Sequence, residues 1–145
     1  MRARLWLSTL LILYSLPLPG QISPSPAVAR HVTCDAAGRR LFGVAPVAIW
    51  GKVKAPKRLR YVNPEYPELP ARTQGSGVWV GDALIGPDGR IRNVSVLRDL
   101  KFTPPFPQFS EAISKAILQW RYSPTTVDGK AVPVCMTVTV NINWQ

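Results

Sequence analysis

Trp120-Arg121-Tyr122-Ser123-Pro124 closes one periodic pattern, and a second one, Val134 to Trp144, follows it; the fold turns on that change. Upstream, Phe109, Ile113, Ala116, Ile117 and Trp120 recur at three- and four-residue intervals and draw one apolar stripe along a helix. Ser110 is a candidate N-cap, and Glu111 in the first turn suits the positive end of the helix dipole. The helix must stop by Ser123, because Pro124 bars the next turn. Val127-Asp128-Gly129-Lys130 then turns the chain into a last strand. There Val134, Met136, Val138, Val140 and Ile142 alternate with Cys135, Thr137, Thr139, Asn141 and Asn143. Alternation of that quality sets one face on a core and the other in water.

Working back toward the N-terminus, Val78-Trp79-Val80 and Ala83-Leu84-Ile85 belong to a strand, and Ile91, Val94, Val96 and Leu97 carry its return. Gly86-Pro87-Asp88-Gly89 joins them. Proline presets φ at the first central position, aspartate bonds locally and glycine accepts positive φ. Between this hairpin and the helix, Lys101–Pro107 carries three prolines and is expected to be an irregular loop. Ahead of the hairpin, Asn63-Pro64-Glu65-Tyr66-Pro67 is expected to be extended, since each proline disfavours helix at the residue before it. Glu68-Leu69-Pro70-Ala71-Arg72 can start a short helix, with Pro70 tolerable only in its first turn. The expected class is therefore α+β, in the order α-β-β-α-β. A three-stranded antiparallel sheet with two helices packed on one face buries both the stripe and the alternating strands.

Those elements, in that order, resemble the C-terminal domain of the TonB energy-transducer family over about Ile49 to Trp144. The Trp120-x-Tyr122-x-Pro124 step together with the Tyr66-Pro67 pair carries the resemblance, and Gly51-x-Val53-x-x-Pro56 is similar to the family's entry segment. The resemblance implies a docking module with no cofactor, not a catalyst. It also implies a docking mode, in which a short segment of an outer-membrane transporter adds as a strand to the last strand. That places the partner on Met136, Thr137, Val138, Thr139, Val140, Asn141, Ile142 and Asn143. Asn63, the polar residue before Pro64, would face the receptor beside Tyr66. Physically, a strand near the C-terminus has little after it to cover its edge, and extended peptides add to such edges through main-chain hydrogen bonds. The edge can instead be covered by the Val44–Trp50 segment or by a second copy in a homodimer.

The N-terminus reads as a secretory signal over residues 1–29. Arg2 and Arg4 precede an apolar Leu5–Leu18 run, and Ala27-Val28-Ala29 offers a small-x-small cleavage site. Read otherwise, it is an uncleaved anchor, although about 20 apolar residues are needed to span a bilayer. Residues 30–57 form a linker and 58–145 the domain. Export places the domain in the periplasm, or tethers it to the inner membrane if the signal is retained. A retained anchor would make the chain a short energy transducer coupling the proton motive force to outer-membrane transport.

The chain carries a formal charge of +10; Arg2 and Arg4 are two of its eighteen basic residues and all eight acidic ones follow them, so the remainder carries +8. Lys52, Lys54, Lys57, Arg58 and Arg60 cluster without an acidic neighbour. For an exported protein such a cluster points to anionic envelope surfaces, lipid or cell wall, rather than to nucleic acid; a solvated basic linker is the plainer account. The two cysteines, Cys34 and Cys135, can pair in an oxidising compartment. Neither has metal-type spacing.

Catalysis finds little support. His31 is the only histidine and lies outside the expected domain. Asp88 and Asp128 suit turns and Glu111 a helix start. Asp82, in mid-strand, reads as an edge or inward charge that blocks unwanted pairing, more readily than as a catalytic carboxylate. No serine sits in a nucleophile elbow, and no glycine-rich phosphate loop follows a strand.

Overall fold

The computed structural model describes residues 32–49 and 53–142. Along the chain run α1 (Val32–Phe42), β1 (Val47–Ala48), β2 (Arg58–Arg60), β3 (Gln74–Ile85), β4 (Ile91–Arg98) and β5 (Lys101–Thr103). Then follow α2 (Gln108–Leu118), β6 (Arg121–Tyr122), β7 (Thr125–Val127), β8 (Lys130–Val132) and β9 (Val134–Ile142). The residue 1–29 signal, Trp50 and Asn143 fall outside the described residues. Among those described, no helix is long and apolar enough to cross a membrane.

The class is α+β, and three long antiparallel strands, β9-β3-β4, form the centre of the sheet. The sheet is wider than the expected three strands. On one side β1 lies parallel to β9, pairing Val47 with Val134 and Ala48 with Cys135. At the far end of β3, Gln74–Ser76 pair with β5. The Lys101–Pro107 segment is thus strand before it is loop, because its prolines begin only at Pro104 and leave the amides of Lys101–Thr103 free to pair.

The hairpin forms where its turn chemistry placed it. Asp88 accepts the Arg90 amide at 3.1 Å, and Gly89 takes φ +76°. A side chain at Gly89 would also collide with the Tyr122 carbonyl.

Among the described residues there are two helices, and they do not lie on one face. Side chains of successive strand residues point to opposite faces. Ala83, Ile85, Val134 and Val138 pack with Phe109, Ile113 and Ile117 of α2. Leu84 and Cys135, between them in sequence, pack with Cys34 and Ala37 of α1. The sheet therefore lies between the helices, and a Cys34–Cys135 disulfide ties α1 to β9. No helix follows Tyr66-Pro67: residues 61–70 form no regular element and only Ala71–Arg72 turn, with the Thr73 amide bonding to the Pro70 carbonyl. Tyr66 stacks on Phe109 with ring centroids 4.3 Å apart, which holds the segment flat along α2.

Ser110 does not cap α2. Pro107 stands at the N-cap with no side-chain hydrogen bond, and Ser110 sits one turn in, where its Oγ accepts the Trp79 indole N–H at 2.8 Å. The indole is fully buried, so the serine satisfies a donor that would otherwise have no partner in the core. Asp82 is not at an edge either. It is fully buried on the central strand β3 and accepts the Thr137 hydroxyl at 2.9 Å.

Candidate functional site

One main-chain hydrogen bond sets the chemistry of the β9 edge. The Val47 N–H donates to the Pro133 carbonyl at 2.8 Å, on the side away from β3. Along a strand, alternate residues turn their N–H and C=O to the same side. The β3–β9 register is regular from Gly77↔Ile142 to Ile85↔Val134, so the alternation is unbroken. Cys135, Thr137, Thr139 and Asn141 therefore direct their main-chain groups outward, while Val134, Met136, Val138, Val140 and Ile142 bond to β3.

Strand β1 covers only the start of this edge, at Val134 and Cys135. From Met136 to Ile142, no strand among the described residues pairs with the outer side of β9. The same odd-numbered residues also carry the exposed side chains, Thr137, Thr139 and Asn141. Thr137 is already bonded to Asp82, which leaves Thr139 and Asn141 as the polar side chains open to a visitor. Met136, Val138, Val140 and Ile142 turn inward onto the α2 core. Of these four only Val138 is buried; Met136, Val140 and Ile142 are half-buried.

The second set lies elsewhere. Val62, Asn63, Glu65 and Pro67 line a groove of about 370 Å³ whose other wall is Gln108, Glu111, Ala112, Lys115, Ala116 and Gln119. Asn63 is exposed on its rim, and Pro64 is half-buried. Tyr66 is committed to Phe109 by stacking; burial, and then the neighbouring Tyr61, hold its phenol above its ordinary pKa. The Val62 carbonyl accepts the Trp120 indole N–H at 2.8 Å, which fixes the upper end of the segment against α2. Among the described residues, no hydrogen bond or ring contact joins Asn63 or Tyr66 to β9.

Aromatic anchoring of this kind had only a partial signal in sequence. The Tyr66-Pro67 pair marked the position, but its partner Phe109 lies 43 residues on. The Arg58 guanidinium, read in sequence only as part of a basic cluster, lies 4.6 Å from the Tyr61 ring centroid and 5.1 Å from that of Trp120. It also hydrogen-bonds Tyr122. The Tyr122 phenol is nonetheless raised above its usual pKa, because burial outweighs the charge and hydrogen bond of Arg58, both of which lower it.

The profile of the family described as Gram-negative bacterial TonB protein C-terminal matches residues 62–145. The chain belongs to this family. Membership gives the protein a part in TonB-dependent transport in the cell envelope, where TonB C-terminal domains interact with outer-membrane transporters and serve as transport and interaction modules rather than enzymes. In a sequence comparison no curated protein matches the chain. Beyond the β1 pairing, the outer edge of β9 is left accessible among the described residues. In this chain that edge runs from Met136 to the end of the described part of β9. No group of three or more histidine, cysteine, aspartate or glutamate residues is placed to hold a metal ion among the described residues.

Proposed function

We propose that this TonB C-terminal domain docks an extended segment of an outer-membrane transporter as an added strand on β9, over Met136–Asn143. The observation that supports this reading is the run of three outward-bonding residues, Thr137, Thr139 and Asn141, with no strand beside them among the described residues. Main-chain bonds to those residues would supply affinity, and Thr139 and Asn141 would read alternate side chains of the visitor. Asn63, which lines the α2 groove, would with Pro64 and Tyr66 offer the partner a second contact surface.

Residues 1–29 serve as a signal for export, so that the domain works in the periplasm. If that segment is cleaved, the domain binds its partner but transmits no force; if it is retained, the chain is a short transducer. The intact mass of the protein from an envelope fraction decides between these.

Docking is tested by NMR titration of the isotopically labelled protein with peptides copied from the periplasm-facing ends of outer-membrane transporters of the same organism. Shifts concentrated on Val134–Ile142 are the expected result. Thr139→Pro removes an outward N–H without touching the ladder to β3, and should weaken binding about tenfold, the cost of one partner left unsatisfied. Binding unaffected by that substitution would overturn strand addition. Loss of the free edge to a second copy would appear as a concentration-dependent dimer in sedimentation, dispersed by the same proline.

A further inference from the structure

We infer that the β2–β6 side of the molecule is a docking surface for anionic lipid headgroups. The argument starts from pairing. Arg60 lies opposite Arg121 in the antiparallel β2–β6 pair, and Arg121 in turn bridges to Arg90, just ahead of β4. Directly opposed side chains share a face with their Cβ atoms about 5 Å apart, and like charges so placed work against folding. Three arginines thus stand in a row across three segments at a cost to the fold. Asp88 pairs with Arg90 and with Arg92, but no carboxylate among the described residues pairs with Arg60 or Arg121.

The basic surface continues along the ribbon. The Ser123 amide donates to the Lys57 carbonyl at 2.8 Å, and the Lys57 amide to Ser123 Oγ at 2.9 Å. Beyond that bond pair lies a depression of about 430 Å³ lined by Lys54, Lys57, Ser123, Thr125 and Thr126. Thr125 is only 6% exposed, and its hydroxyl has no hydrogen-bond partner. Cations beside unused hydroxyl donors are the chemistry that recognises phosphate oxygens, and the planar guanidinium fork fits them in pairs.

An apolar residue in the same strip decides between a phosphate in solution and one on a membrane. The β2–β6 register shifts between Arg58 and Arg60, so Leu59 bulges from the ladder and is 69% exposed. Tyr61, next along, is half exposed. A leucine and a tyrosine standing out between arginines suit the boundary between headgroups and acyl chains. The strip is joined to the sheet at Arg90, beside β4, which is the edge opposite to the β1–β9 side. A peptide on β9 and a membrane on this strip therefore do not compete, and the inference does not depend on strand addition.

The test measures cosedimentation of the full chain with vesicles of phosphatidylcholine, with and without phosphatidylglycerol. Insertion of the N-terminal apolar segment, with any anionic preference of Arg2 and Arg4, is common to the parent and the strip variants and cancels between them. The expected result is extra binding to the anionic vesicles that disappears at high salt. The Arg60→Gln/Arg121→Gln pair should weaken that extra binding roughly thirtyfold, since each basic residue near an anionic surface contributes about fivefold. Its unfolding midpoint should match or exceed that of the parent, because opposed like charges are gone. Leu59→Ser, at an exposed position, should weaken vesicle binding as well, whereas Thr139→Pro should leave it unchanged. No preference for phosphatidylglycerol, or a preference that survives both strip variants, overturns the inference. Shifts of the Lys57, Ser123, Thr125 and Thr126 amides with inorganic phosphate, without vesicle binding, would identify a free-phosphate site and overturn it too.

Discussion

The two faces of strand β3 are held in different ways. Among the described residues, Ala83 and Ile85 on one face belong to a core of twelve buried residues that includes Trp79, Phe109, Ile113, Ile117 and Trp120. On the other, Leu84 joins a cluster of four described residues, with Cys34, Ala37 and Cys135, and Phe42 packed at its margin. At roughly 25 cal/mol per Å² of apolar surface removed from water, the first face can fix a helix by burial alone. The second cannot do so to the same degree, and there the helix is attached covalently. Sulfur does on the α1 face part of what hydrocarbon does on the α2 face. The contrast bears on the candidate site, because the lightly packed face carries α1 and leads into β1, the strand that covers the start of the β9 edge.

The largest effect should come from the heavily packed face. Phe109 is fully buried and anchors both Tyr66 and the start of α2. Phe109→Ala should cost about 3–5 kcal/mol in denaturant unfolding. A loss of less than about 1 kcal/mol would mean that this core is not what holds the fold.

Cys34→Ser with Cys135→Ser should cost somewhat less, about 2–4 kcal/mol. Hydrogen exchange sharpens the comparison: amides of α1 should lose protection while those of α2 and β3 keep theirs. Simultaneous loss in both helices would show that the faces form one cooperative unit. Ser110→Ala should have a smaller effect, about 1–3 kcal/mol, because it strands the buried Trp79 N–H. Restoration by Ser110→Thr, which supplies an acceptor again, would tie the loss to the hydrogen bond rather than to volume.

What the sequence disclosed, and what it withheld, follows the same division. The hairpin, α2 and β9 were legible because each rests on local chemistry: a Pro87-Asp88-Gly89 turn, a stripe from Phe109 to Trp120, and strict alternation from Val134 to Ile142. Helix α1 was not. Gly38 in its middle weakens any helical expectation, and the reason for it is remote: a side chain there would collide with Pro46. The absent helix after Pro67 has a local cause, the prolines at 67 and 70, and Tyr66 is instead stacked on the remote Phe109. The residues of the β9 edge could be named from sequence, and the Val47–Pro133 bond that fixes the parity of the whole edge joins segments 86 residues apart. The arginine row was half visible. The cluster at 52–60 stood out, whereas Arg90 and Arg121 entered it only through strand pairing.

The smallest predicted effect is on pH dependence, and it tests the heavily packed face alone. Tyr66 and Tyr122 both lie against that core, both have phenols raised above the ordinary tyrosine value, and α1 contains no tyrosine. A phenol harder to ionise in the folded state keeps its proton longer there than in the unfolded chain. Its contribution is therefore complete below about pH 10, the unfolded value, and is lost as pH rises through the higher folded value. Stability should stay level into mildly alkaline solution and then fall, with protection lost from α2 rather than selectively from α1. Tyr66→Phe should make that fall shallower. Arg58→Gln should make it steeper, because the charge and hydrogen bond of Arg58 hold the Tyr122 phenol down against burial, and without them it rises further. An alkaline slope unchanged by Arg58→Gln would mean that burial alone sets the titration of Tyr122.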